Sequence, residues 1–249
     1  GGSRRSKLGS IVGDKTAQVQ AVYVPACVNA MFGAQKGGIG VTESFIRLAE
    51  RAGVALSVPE GIDSLCCGTP WTSKGMAKGH EVMQERVRTV LADATQGGSQ
   101  PVIVDASSCT EGFIAMLKDT GITVVDSLAF TAEHLVDKLQ VTKPQDSVTI
   151  HPTCSAQHLG LMPAIEAVAK AAAKDVDIPL SWGCCGYAGD RGMLHPELTA
   201  SATAREASEV KGIDGEHHVS SNRTCELGMT RATGKPYRHV LEVLELATR

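Results

Sequence analysis

Short runs of β-branched and aliphatic residues recur along the chain, each followed by apolar positions at helical spacing. Val19 to Val24 is the first run and predicts a strand that ends at Pro25-Ala26-Cys27. A loop with Gly33, Gly37, Gly38 and Gly40 follows, and Val41 to Ala52 then places Phe45, Leu48, Ala49 and Ala52 on one helical face before Gly53 stops it. Val54 to Val58 predicts a second strand, which leads through Pro59, Gly61 and Asp63 into Leu65-Cys66-Cys67-Gly68. Val82, Met83, Val87, Val90 and Leu91 predict a long helix over Met76 to Ala94. Pro101 to Val104 is a third strand, ending in Asp105-Ala106-Ser107-Ser108-Cys109. A helix to Lys118, a strand over Ile122 to Val125 and a helix through Leu128 to Leu139 complete this half.

The second half repeats the order. Val148-Thr149-Ile150 runs into His151-Pro152-Thr153-Cys154, and an alanine-rich helix covers Pro163 to Ala173. A strand over Ile178 to Trp182 leads into Cys184-Cys185-Gly186, a helix spans Glu197 to Lys211, His218-Val219-Ser220 leads to Cys225, and a helix over Tyr237 to Ala247 closes the chain. This alternation argues for an α/β fold of two tandem, pseudo-symmetric, Rossmann-like repeats with parallel sheets, the cysteines lying at the C-terminal strand ends, where open parallel sheets bind ligands. The expected organisation is a linker or remnant of a longer chain over residues 1–16, a first repeat over 17–145 and a second over 146–249.

Composition narrows the class. A hydrophobic share of 43% with 20% charged residues is that of an ordinary globular protein, and an aromatic share of 4% predicts an aliphatic, alanine-rich core. A net charge of −3 gives no field that would recruit nucleic acid. No apolar run approaches the roughly 20 residues of a membrane span, so no integral membrane segment is expected. Arg4-Arg5 is not followed by the apolar segment of an export signal. The expected compartment is therefore the reducing cytoplasm, with a peripheral place at the inner face of the membrane as the variant reading, and there clustered cysteines hold metals or do redox work.

The chemistry lies in the eight cysteines: Cys27, Cys66, Cys67 and Cys109, then Cys154, Cys184, Cys185 and Cys225. Each half has one adjacent pair followed by glycine, with a cysteine 30 to 39 positions before the pair and another 40 to 42 after it. Four thiolates suit zinc, a two-iron cluster or a four-iron cluster. Neighbouring side chains cannot easily take two corners of one small tetrahedron but reach different irons of a larger cluster, which ranks iron–sulfur above zinc. Gly68 and Gly186 would let backbone amides approach the sulfurs. His151, His158 and His195 are ligand or proton-relay candidates, Lys74 and Arg191 would neutralise an anionic centre, and Trp71, Trp182 and Tyr187 would shield it. A strained disulfide within either adjacent pair remains an alternative. The glycine loop matches neither a dinucleotide turn nor a Walker motif, and no hydrolase elbow is present. No residue is assigned as catalytic.

The doubled Cys-Cys-Gly motif resembles the cysteine-rich CCG domains of heterodisulfide reductases and of the iron–sulfur subunits of glycolate, glycerol-3-phosphate and lactate oxidation systems. The phrases Tyr23-Val24-Pro25-Ala26-Cys27-Val28-Asn29, Asp105-Ala106-Ser107-Ser108-Cys109 and Gly186-Tyr187-Ala188-Gly189-Asp190-Arg191-Gly192-Met193 look most like the C-terminal part of flavin- and iron–sulfur-containing D-lactate dehydrogenases. The resemblance implies an oxidoreductase module with 4Fe-4S-type iron–sulfur clusters, relaying electrons from FAD on a partner domain, beside ferredoxin-type domains, towards quinone or a cytochrome. Such a module does not oxidise lactate alone. The best-known members carry a further cysteine three positions before the last of each repeat, where this chain has Ala106 and Asn222. Two other readings stay open: a heterodisulfide reductase-like thiol/disulfide module, and a zinc-filled or vestigial structural module.

Overall fold

The computed structural model describes residues 4–249, which divide into two compact units. The first takes the described residues up to Gly33 together with Phe45–Leu139, and the second takes Ala34–Ser44 with Gln140–Arg249.

Five short strands form the sheet of the first unit: β1 (Ile11–Gly13), β2 (Val19–Val24), β3 (Ala55–Ser57), β4 (Val102–Val104) and β5 (Val124–Asp126), in the spatial order β1-β3-β2-β4-β5. Four of them are parallel, while β1 runs antiparallel to β3, with Val12 opposite Leu56. The expected linker at 1–16 is thus corrected: from Arg4 onward it supplies a turn of 3-10 helix over Arg5–Lys7 and this edge strand, and residues 1–3 lie outside the described residues. Periodicity missed β1 because three residues are too few to show alternation.

The helices of this unit are α1 (Cys27–Phe32), α2 (Val41–Arg51, of which the part from Phe45 belongs here), α3 (Thr69–Ser73), α4 (Ala77–Ala94), α5 (Ser107–Met116) and α6 (Ser127–Phe130). Phe45 of α2 packs against Tyr23 of β2 at 5.1 Å and Phe130 of α6 at 6.2 Å between ring centroids. The buried strand β2 can carry Tyr23 because its hydroxyl donates to the buried Asp105 carboxylate at 2.6 Å. Asp126 at the end of β5 accepts from the Leu128 amide and so starts α6. The helix expected through Leu139 instead passes through a π-helical turn at Thr131–Leu135 and a 3-10 turn at Val136–Lys138.

The second unit has four parallel strands, β6 (Gln145–Ile150), β7 (Ala173–Asp177), β8 (His217–Ser220) and β9 (Tyr237–His239), in the order β7-β6-β8-β9. Its helices are α7 (Cys154–His158), α8 (Met162–Ala172), α9 (Arg191–Leu194), α10 (Pro196–Lys211), α11 (Arg223–Thr233) and α12 (Val240–Ala247). Two expectations are corrected here. Residues 178–182, predicted as a strand, form a loop, and the strand is the preceding Ala173–Asp177. Tyr237–His239, predicted as helix, pairs with β8, and the helix begins only where the His239 ring accepts from the Leu241 amide and Glu242 accepts from the His239 amide.

The shared strand order makes this a mixed α/β fold of two cysteine-rich repeats. Among the described residues no helix is long and apolar enough to cross a membrane.

Candidate metal centre

The two repeats place their cysteines at corresponding points. Cys27 and Cys154 open α1 and α7, and Cys109 and Cys225 lie in the first turn of α5 and α11, just past the ends of β4 and β8. The adjacent pairs sit in the loops after β3 and β7. Amide N–H groups at helix starts favour the thiolate form of sulfur. All eight are free thiols.

In the first unit the four sulfurs form a ladder, Cys27 to Cys66 to Cys67 to Cys109. Hydrogen bonding from Cys66 brings the Cys27 thiol down to about 7, with the Arg5 charge helping. Cys66, which donates, is pushed up; Cys67, accepting from Cys109 and Cys66, is held well below the usual thiol range; Cys109 is pushed up by Cys67 and by burial. Acidity thus alternates along the ladder, lowered at Cys27 and Cys67 and raised at Cys66 and Cys109, the pattern that keeps like charges off adjacent sulfurs. Cys67 Sγ also lies 3.3 Å from Thr69 Oγ1.

The second unit repeats the ladder as Cys154 to Cys184 to Cys185 to Cys225 and adds an imidazole. Cys185 Sγ and Cys225 Sγ are 2.9 Å apart, and His151, Cys185 and Cys225, all buried, offer ligand atoms within 4.8 Å of one another. It is the one such group among the described residues. His151 Nδ1 meets Glu206 Oε1 of α10 at 2.8 Å, while its Nε2 is buried without a hydrogen-bond partner. Burial works against charge on this ring, but Cys185 and Glu206 beside it raise its pKa to about 9. The neighbouring Cys185, together with burial, pushes the exposed Cys184 up to about 12.

A family model described as a cysteine-rich domain, CCG, matches residues 21–113 and 148–230. The chain belongs to the CCG family. Similar proteins with names are the glycolate oxidase iron-sulfur subunit of Escherichia coli strain K12, 24% identical over 81% of this chain and 52% of its own length, and lactate utilization protein A of Oceanobacillus iheyensis, 23% identical over 80% of this chain and 87% of its own. The CCG chain therefore spans about half of the first relative's length.

The residues fit a metal. In a ligating histidine one ring nitrogen binds the ion and the other is held by a carboxylate or carbonyl, and His151 has this arrangement, with Nδ1 on Glu206 and Nε2 unpartnered. Two thiols and one imidazole are a donor set for zinc or for an iron of a cluster. Cys154 and Cys184 lie outside the group of three.

Other expected CCG site residues are distributed as follows. Gly68 and Gly186 both have left-handed backbones, with φ of 81° and 66°. Their amides donate to the first cysteine of each pair, Gly186 N reaching Cys184 Sγ at 3.4 Å. Lys74 is exposed just after α3, Arg191 is exposed at the start of α9, and His158 and His195 are exposed. Trp71 and Trp182 are half-buried, whereas Tyr187 is buried against Cys185 and Cys225. The glycine loop meets a carboxylate, Gly40 N donating to Glu242 Oε2 at 3.1 Å. Sequence reasoning missed Glu206 and Arg5. Glu206 was findable, since it falls on the inward face of α10 with Thr199, Thr203, Ala207 and Val210. Nothing in the local pattern marked Arg5.

Proposed function

We propose that this CCG chain is a thiol-based redox module of a 2-hydroxy-acid oxidising system, and that its second repeat is anchored by one soft metal ion, zinc, on His151, Cys185 and Cys225. The observation that carries this reading is the unpartnered, buried Nε2 of an imidazole whose other nitrogen is fixed by Glu206. Zinc supplies no redox chemistry of its own, and three protein ligands would leave its fourth position to water or a further thiolate. Glycolate and lactate, named for the two relatives, are both 2-hydroxy acids, which supports the substrate class.

A second reading for the first repeat is favoured by its ladder of four thiols and by the Gly68 amide beside Cys66. Cys27, Cys66, Cys67 and Cys109 there suit an iron–sulfur cluster, relaying electrons from an FAD partner domain of D-lactate dehydrogenase type towards quinone or a cytochrome. Zinc, iron and acid-labile sulfide should be measured in anaerobically purified protein, with electron paramagnetic resonance before and after reduction. The expected outcome is one zinc per chain, absent from His151→Ala, and iron with sulfide depleted by Cys66→Ser. Iron and sulfide that His151→Ala and Cys185→Ser deplete, with no zinc, would sink the anchor reading.

A further inference from the structure

In each repeat a buried charged side chain ties the loop after the first parallel strand to the Cys-Cys loop, and these two charges are opposite; the first unit also buries Asp105, whose carboxylate accepts from Tyr23 and the Ala26 amide, and Arg5 lies 3.8 Å from Asp63. In the first unit Arg5, 7% exposed, donates from Nη1 to Pro25 O at 3.1 Å and from Nη2 to Leu65 O at 2.8 Å. In the second, Glu206, 2% exposed, takes His151 Nδ1 at 2.8 Å and the Gly183 amide at 3.4 Å. Pro25 and His151 are the first residues past β2 and β6, and Leu65 and Gly183 immediately precede the two Cys-Cys steps. The same two loops are therefore bridged in both repeats, by a cation from the N-terminal segment in one and by an anion from α10 in the other.

Charge at this position decides what a site tolerates. Thiolates crowded together repel, and a fixed cation offsets that repulsion; a fixed carboxylate adds to it and favours an added positive ion. We propose that Arg5 and Glu206 are positioning residues that make the two sites chemically different, Arg5 suiting the first repeat to an all-thiolate, electron-rich centre and Glu206 suiting the second to a single cation on mixed nitrogen and sulfur ligands. The proposal rests on the metal reading of the second repeat. Glu206 acts on that ion through His151, by fixing Nδ1 at 2.8 Å and so orienting the ring with Nε2 on the side away from the carboxylate, and through Gly183, by holding the loop of Cys185. Arg5 does not depend on a ring tautomer; its planar fork spans two carbonyls that a lysine ammonium would not span with the same geometry.

Cobalt(II) alone, titrated into reduced, metal-free full-length protein, reports both sites through its visible absorption, because thiolate and imidazole ligands give different bands. The band lost in His151→Ala belongs to the second repeat, and the band lost in Cys66→Ser to the first. Glu206→Gln preserves the side-chain shape and should weaken the His151-dependent band's affinity about 10- to 100-fold, leaving the other unchanged. Arg5→Met should weaken the first-repeat band only, with Arg5→Lys recovering part of the loss. If Glu206→Gln binds cobalt as tightly as the parent while His151→Ala does not bind, the metal reading stands and this inference falls. A lowered thermal midpoint with neither cobalt affinity moved also overturns it, since a merely structural brace behaves so. A first repeat that takes no cobalt in any variant removes the Arg5 half. A parent protein without any His151-dependent band overturns the metal reading and the proposal together.

Discussion

Gly186 shows how much a single backbone conformation holds in place. Its φ is 66°, and an added Cβ would lie 2.9 Å from both Leu198 O and the Ala202 methyl of α10. Gly186→Ala should therefore cost about 1–3 kcal/mol for backbone strain alone and displace Cys185; a lower denaturant midpoint with reduced zinc content is the expected result. Asp126 makes a different point. Burial, the dominant cause, raises its pKa from 3.8 to about 6, against the bonds from the Leu128 amide and Thr110. The folded chain thus holds this proton more tightly than the unfolded one, so the contribution is full below pH 3.8 and is lost as the pH rises through about 6. The loss is on the order of 3 kcal/mol. Asp126→Asn keeps an acceptor for Leu128 and should flatten that part of the profile, read from urea midpoints between pH 4 and 7. The cysteines were legible because their spacing repeats; Arg5 was not, because its partners are 20 and 60 positions away.

Elements were legible where an apolar face was long enough to repeat. The helices α2, α4, α8 and α10 came out close to their predicted bounds, whereas β7 and β9 were misplaced. Lys174, Asp175 and Asp177 make β7 read as polar, since it lies at the edge of its sheet, and Tyr237–His239 runs without a break into α12. Pairing with a neighbouring strand overrode local preference in both. The docking of α2 rests on Phe45, fully buried between Tyr23 and Phe130. Phe45→Ala should cost about 3–5 kcal/mol, visible as an earlier guanidinium midpoint with no change in the ligands of the second repeat.

Over the whole chain, the duplication gives two sheets with the same parallel order and two thiol ladders of the same connectivity, yet in the second His151, held by Glu206, lies against the sulfurs, while in the first Arg5 bridges the cysteine loops. The duplication was plain in the sequence; the divergence was not, since it depends on which side chains are buried beside the sulfurs. Zinc at 100 times its dissociation constant should stabilise the second unit by about 2.7 kcal/mol, raising one calorimetric transition, an effect that Cys225→Ser should abolish. The same divergence extends to the sheet margins. At one margin of the second unit β7 is guarded by its own charges, while the corresponding strand β3 is Ala-Leu-Ser and is covered by β1. An uncharged, uncovered strand invites pairing with another chain. Val12→Pro, which takes an amide from the middle of β1, should therefore turn a dispersed protein into one that self-associates as its concentration rises, and sedimentation velocity would register that change before any thiol chemistry was disturbed.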